Sequence, residues 1–205
     1  MLVPVVPLLL MLAGQAPQQA APAPVRPPQQ APPKLYNETA DARAQIGAAL
    51  KAAAEADIRV LLNWGANDDE ACTRFQQDMS GRGSTNPAYE IIRTKLSNEY
   101  RYVRVDVGHL DKNLDLAATY GVKLSAGALP HLTVLDKQGT VLAQQPSQPF
   151  MAAPGGPTVY DPEKIAAFLK QHQVAPVAAD PLLSAALAEA RRDGKYVFLW
   201  FSAPW

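Results

Sequence analysis

Leu61-Leu62-Asn63-Trp64-Gly65-Ala66-Asn67-Asp68-Asp69-Glu70-Ala71-Cys72 is the stretch whose reading decides the rest of the chain. Its first part closes a nearly continuous apolar run, Ile58 to Trp64 (IRVLLNW). Such a run predicts a strand buried on both faces. Asp68, Asp69 and Glu70 suit the first turn of a helix, where carboxylates accept from free N–H groups and complement the dipole. The helix is predicted from Glu70 to Met79. The unit is a strand, a turn and a helix that carries Cys72 in its opening turn.

On the N-terminal side, Ile46, Leu50, Ala53 and Ala54 recur at helical spacing within Thr39 to Ala56, with Thr39 or Asp41 available as cap. On the C-terminal side, the Gly- and Ser-rich loop 80–86 leads to Pro87, which opens a helix through Leu96. Tyr102 to Val107 alternates as a strand, and Leu114 to Tyr120 reads as a short helix stopped by Gly121. His131 to Leu135 and Thr140 to Ala143 are strands joined by the turn Asp136-Lys137-Gln138-Gly139. Asp161-Pro162 then caps a helix through Gln171. Strands alternating with helices imply parallel pairing, and the hairpin adds an antiparallel partner. The fold class is α/β, a small mixed sheet with helices on both faces.

The chain has 205 residues, 48% apolar and 19% charged, with a formal net charge of zero. That balance, with no run of Lys or Arg, argues against a nucleic-acid binder. Cys72 is the one cysteine, which rules out an intrachain disulfide and a zinc site of several thiolates. Nine of the 19 prolines, Pro4 to Pro33, precede the first helical pattern. Residues 1–16 hold a short apolar stretch with a small-residue end and read as a signal peptide, too short to span a bilayer as a helix. Export to the periplasm or another extracytoplasmic space is the expectation, with no transmembrane span in the mature chain. Residues 17–35, rich in Gln, Ala and Pro, read as a disordered tether. The folded domain is expected over 36–173.

An internal repeat changes the picture of the C-terminal end. Residues 48–68 match 185–205 without a gap, so that Ala48, Leu50, Ala53, Val60, Leu62 and Ala66 recur as Ala185, Leu187, Ala190, Val197, Leu199 and Ala203. Residues 174–179 then read as a linker, and 180–205 as the truncated start of a second copy of the domain. The strand expected in that copy, Tyr196 to Phe201, would stand without a sheet, which suggests a fragment. Limited proteolysis checks this: early cleavage within 180–205 is expected, and resistance of that segment overturns the reading.

The stretch around Cys72 resembles the active-site segment of the thioredoxin superfamily. It is most similar to exported members with a small-Ala-Asn-Trp-Cys-X-X-Cys pattern. Phe201-Ser202-Ala203-Pro204-Trp205 resembles the same pattern cut just before its first cysteine. Val105-Asp106-Val107-Gly108, Tyr120-Gly121-Val122 and Ala128-Leu129-Pro130-His131 match further family segments in order, over Thr39 to Gln171. The resemblance implies a thioredoxin-like mixed sheet, protein-disulfide oxidoreductase chemistry, and a cis-proline at Pro130 opposite the active-site turn.

The departures are concentrated at the chemistry. Redox catalysis needs a thiolate at the helix N-terminus and a second thiol to resolve the mixed disulfide. By the resemblance, Asp69 replaces the attacking cysteine and Asp68 the family's tryptophan. Asn63 stands where many relatives keep a buried acid. Cys72 is left as a residual thiol at the resolving position, and the nearby carboxylates disfavour its ionisation. It reads as a small buried residue rather than a nucleophile. The leading expectation is a redox-degenerate domain, with the active site in the second copy. The alternative is a non-catalytic module that holds extended polypeptide segments, with Trp64, Leu129 and Pro130 as apolar groove contacts. No cofactor is implied. Asp69, Cys72 and His131 are acceptable metal-ligand types, but nothing in their number or spacing supports a metal site. His109 and His172 read as surface residues.

Overall fold

The computed structural model describes residues 34–81, 83–176 and 178–200; the expected signal peptide, most of the tether, and residues 201–205 lie outside them. Strand β1 (Arg59–Gly65) is flanked by parallel β2 (Tyr100–Asp106) and antiparallel β3 (His131–Leu135), and β3 pairs antiparallel with β4 (Val141–Pro146). The order is β2-β1-β3-β4. Helices α1 (Ala42–Ala56), α2 (Glu70–Ser80), α3 (Pro87–Asn98), α4 (Leu114–Thr119) and α5 (Pro162–Gln171) fill the gaps between strands and after the hairpin. The expected order of elements and the mixed sheet are thus present.

Alternation along β1 sorts its side chains between two cores. Val60, Leu62 and Trp64 face α1 and α4, packing with Ile46, Ala53, Leu116 and Ala117. Leu61 faces the other layer, where α2, α3 and α5 contribute Phe75, Ile92, Ile165 and Leu169. Both faces are covered, so the apolar run follows from burial on each side. The Trp64 indole N–H donates to the Thr133 hydroxyl at 3.0 Å, so the tryptophan's polar atom is also satisfied in the core.

The helix starts follow local chemistry. Asp41, Asp69, Asn86 and Asp161 are extended N-cap residues, each accepting a backbone N–H through its side chain. Pro87 and Pro162 occupy first-turn positions where no N–H is needed. Two strands differ from the sequence reading. β2 starts at Tyr100 rather than Tyr102, because Tyr100 is buried and its hydroxyl donates to the Leu169 carbonyl at 2.7 Å. β4 runs from Val141 to Pro146 instead of from Thr140 to Ala143, because an edge strand tolerates Gln144, Gln145 and a terminal proline.

The C-terminal segment divides at its middle. Helix α6 spans Ala179–Asp193, so it takes in the last residue of the expected linker. Its bounds and its left-handed cap, Gly194, coincide with those of α1 and Asp57 shifted by the repeat spacing, and each cap N–H meets the equivalent carbonyl, Ala53 or Ala190. Leu183, Ala186, Ala190 and Val197 are half-buried, at the places where Ile46, Ala49, Ala53 and Val60 are fully buried. The expected second-copy strand is not formed: residues 195–200 have no regular structure, and Phe198 and Trp200 are 85% and 81% exposed. A helix satisfies its own backbone, whereas a strand needs neighbours, and none pairs with this one among the described residues.

Burial on the two sides of this boundary sets a stability contrast. Leu62→Ala, in the centre of β1, is expected to lower the unfolding free energy by about 2–5 kcal/mol. Leu187→Ala on α6 should change it by less than about 0.5 kcal/mol. Urea unfolding measures both.

Candidate functional site: the turn after β1

The C-terminal end of β1 delivers Asn63, Trp64 and Gly65 to the turn that starts α2. Asp69 caps that helix, its carboxylate accepting the Cys72 N–H at 2.8 Å. Asp69 is therefore engaged in holding the helix N-terminus. Asp68 points elsewhere and pairs with His109 Nδ1 at 2.7 Å on the exposed surface.

Cys72 is buried, with about 1% of its surface exposed. Burial pushes its thiol up to about 12, and the Asp69 carboxylate adds to the shift; the Ala66 backbone and the Tyr36 hydroxyl oppose it. A reactive thiolate at a helix start has the opposite character. The thiol lies against a side chain from far away in sequence. Tyr36, about 1% exposed, reaches in ahead of α1 and lays its ring end against Gly65 and Cys72. A Cβ added at Gly65 would stand 2.2 Å from the Tyr36 hydroxyl oxygen and 2.7 Å from Cys72 Sγ. Only glycine leaves room for the two to meet over the strand.

A polar chain runs behind this contact. The Tyr36 hydroxyl donates to Asn63 Oδ1 at 2.9 Å, and Asn63 Nδ2 donates to the Tyr102 hydroxyl at 2.5 Å. The Tyr102 hydroxyl in turn lies 3.5 Å from Gln76 Oε1. Asn63 is thereby satisfied in a buried place by one donor and one acceptor, a pattern its amide suits and a carboxylate does not. Burial raises the pKa of both tyrosines, Tyr102 to about 12. Neither is a proton store near neutral pH.

Across the turn, the Leu129–Pro130 peptide bond is cis. The Leu129 carbonyl accepts the Ser147 hydroxyl at 2.9 Å, and the Tyr160 hydroxyl donates to Ser147 Oγ at 3.1 Å. His131 follows, 8% exposed, with Nδ1 unpartnered and its pKa lowered by burial. Trp64, Leu129 and Pro130 are all buried. Trp64 is packed against Tyr120 and committed to Thr133. His172 is half-buried on the Phe168 ring, with centroids 4.8 Å apart, rather than a free surface residue. Among the described residues no cluster of three His, Cys, Asp or Glu side chains converges in a way that could hold a metal. No described helix is long and apolar enough to cross a membrane.

Sequence reading missed Tyr36, Asn67, Tyr102 and Gln76. The available signal was Tyr36 itself, a lone aromatic where the proline-rich segment ends.

Comparison with solved structures places this architecture. A disulphide isomerase from Xylella fastidiosa Temecula1 matches with a TM-score of 0.53 and 25% identity, over 69% of this chain and 98% of that one. The reduced C-terminal domain of DsbD from Neisseria meningitidis matches at 0.43 and 17%, over 64% and 96%. A thioredoxin from Trichomonas vaginalis matches at 0.35 and 24%, over 61% and 88%. No family model and no curated relative matches the sequence. On the first of these likenesses, the chain has the thioredoxin-superfamily fold, that of the thioredoxin-like disulfide oxidoreductases.

The raised Cys72 pKa fixes the sign of a pH dependence. In the unfolded chain the thiol ionises near about 8.5, so between that value and its folded pKa the folded state binds more proton. The stabilisation is complete below about pH 8.5 and is lost as pH rises towards the folded value. Urea midpoints should fall between about pH 8 and 10, and Cys72→Ala should flatten that fall. Thiolate absorbance in the native protein should not develop below about pH 9, and an earlier step would contradict the buried-thiol assignment.

Proposed function

We propose that this chain is a thioredoxin-family protein of the exported thiol–disulfide oxidoreductase type, in which the 36–173 domain has lost dithiol exchange. The family's chemistry is assigned to a second copy of the domain that opens with α6. The observation that carries this reading is the Asp69 carboxylate, which caps α2 through the Cys72 N–H in the place of an attacking thiolate. Exchange needs two thiols within reach of each other, and the sequence holds one. The coincidence of α1 and α6 under one sequence shift supports the second copy. The position equivalent to Asp69 falls immediately after Trp205, as it follows Asp68 in the first copy. The export part of the proposal rests on the apolar leader within residues 1–16.

Reduction of insulin by dithiothreitol, followed by turbidity, tests the proposal. The purified chain is expected to leave the uncatalysed rate unchanged. Turnover above that background would show dithiol or monothiol chemistry in this domain and overturn it.

A further inference from the structure

Residues Lys34 to Glu38 cross the turn that follows β1, where Tyr36 joins the core and Leu35 packs against it. Tyr36 is the buried side chain among them; Lys34, Asn37 and Glu38 are exposed and Leu35 is half-buried. The clasp is Asn67 on the turn. Its Oδ1 accepts the Tyr36 N–H at 2.9 Å and its Nδ2 donates to the Tyr36 carbonyl at 2.9 Å, the pairing a neighbouring strand would make. Nδ2 also donates to Glu38 Oε1 at 2.9 Å, and Lys34 pairs with the other Glu38 oxygen at 2.6 Å. One side-chain amide thus holds both backbone polar groups of Tyr36.

The outer flank of the strap is open. A cleft of about 420 Å³ lies between Leu35 and Asn37 on one side and Tyr102 to Arg104 of edge strand β2 on the other. Gln45 and Ala48 of α1 line the same cleft. Movement would withdraw Tyr36 and Leu35, and against the Tyr36 hydroxyl end lie Gly65, Asn63 and the Cys72 thiol.

We infer that residues 34–38 form a latch, with Tyr36 as plug and Asn67 as clasp, whose local release bares Cys72 and Asn63 while the sheet stays folded. The inference stands apart from the redox proposal, since it concerns access to the thiol and not its chemistry. It makes the strap the gate of this end of the fold. The strap's backbone is tied by one side-chain amide and its outer ion pair is exposed, an attachment that opens at lower free energy than strands paired along their length.

Cys72 labelling in the full chain tests the latch, since the sequence has no other thiol to report. A chromogenic aromatic disulfide is mixed with the native protein across low urea concentrations. The labelling rate is expected to be independent of urea well below the unfolding midpoint, because opening the strap exposes little surface. Asn67→Ala, which removes three hydrogen bonds, should raise that rate by roughly tenfold or more. Tyr36→Phe keeps the ring but leaves Asn63 Oδ1 without its donor in the closed state, so the rate should also rise, by roughly fivefold or more. A rate that climbs with urea along the global unfolding line would overturn the latch, as would an unchanged rate in Asn67→Ala. Should Asn67→Ala fail to fold, the urea dependence of the unaltered chain decides the question.

Discussion

Strand β1 runs between β2 and β3 with helices over both faces, so from Val60 to Gly65 no side chain of it meets water. That constraint organises the rest of the molecule. Its apolar residues divide between two cores, and the helices on each face are placed to cover them. Its buried amide, Asn63, needs partners that a buried strand does not supply, since an unpaired buried amide costs several times what a made hydrogen bond contributes. Tyr36 and Tyr102 meet that need from opposite directions. Gly65 exists at the strand's end because a side chain there would collide with the Tyr36 hydroxyl and the Cys72 sulfur.

The same constraint explains the chemistry at the turn. A thiol one turn into α2 is activated when it faces the dipole, free N–H groups and solvent. Here Asp69 takes up the Cys72 N–H, and Tyr36 covers the thiol. What remains is a desolvated thiol beside a carboxylate, and both effects hold its proton in place. The cluster of Asp68, Asp69 and Glu70 that looked like helix-start chemistry in the sequence divides in space. Asp69 caps the helix and Asp68 reaches outward to His109.

Helices α1 and α6 are one sequence pattern in two surroundings. Both form over the same span with the same C-terminal geometry, because a helix closes its hydrogen bonds within itself. The residues after them part company: 59–65 is a central strand, while 195–200 is irregular and exposes its aromatics. A strand depends on what lies beside it, and beside residues 195–200 no strand is paired among those described.

Periodicity and end signals act over a few residues, and for that reason the sequence by itself determined the order of elements, the helix starts at Glu70, Pro87 and Pro162, and the mixed sheet. Burial is decided between distant segments, and there the sequence was silent or misleading. The packing of Trp64 against Tyr120 and its bond to Thr133 join residues far apart in the chain. Tyr36 carried no motif, yet it lies on Gly65, some 30 residues later, and is pinned by Asn67. Only the tertiary structure could bring that hydroxyl, that glycine and that thiol together, because no rule of local sequence sets the distance between them.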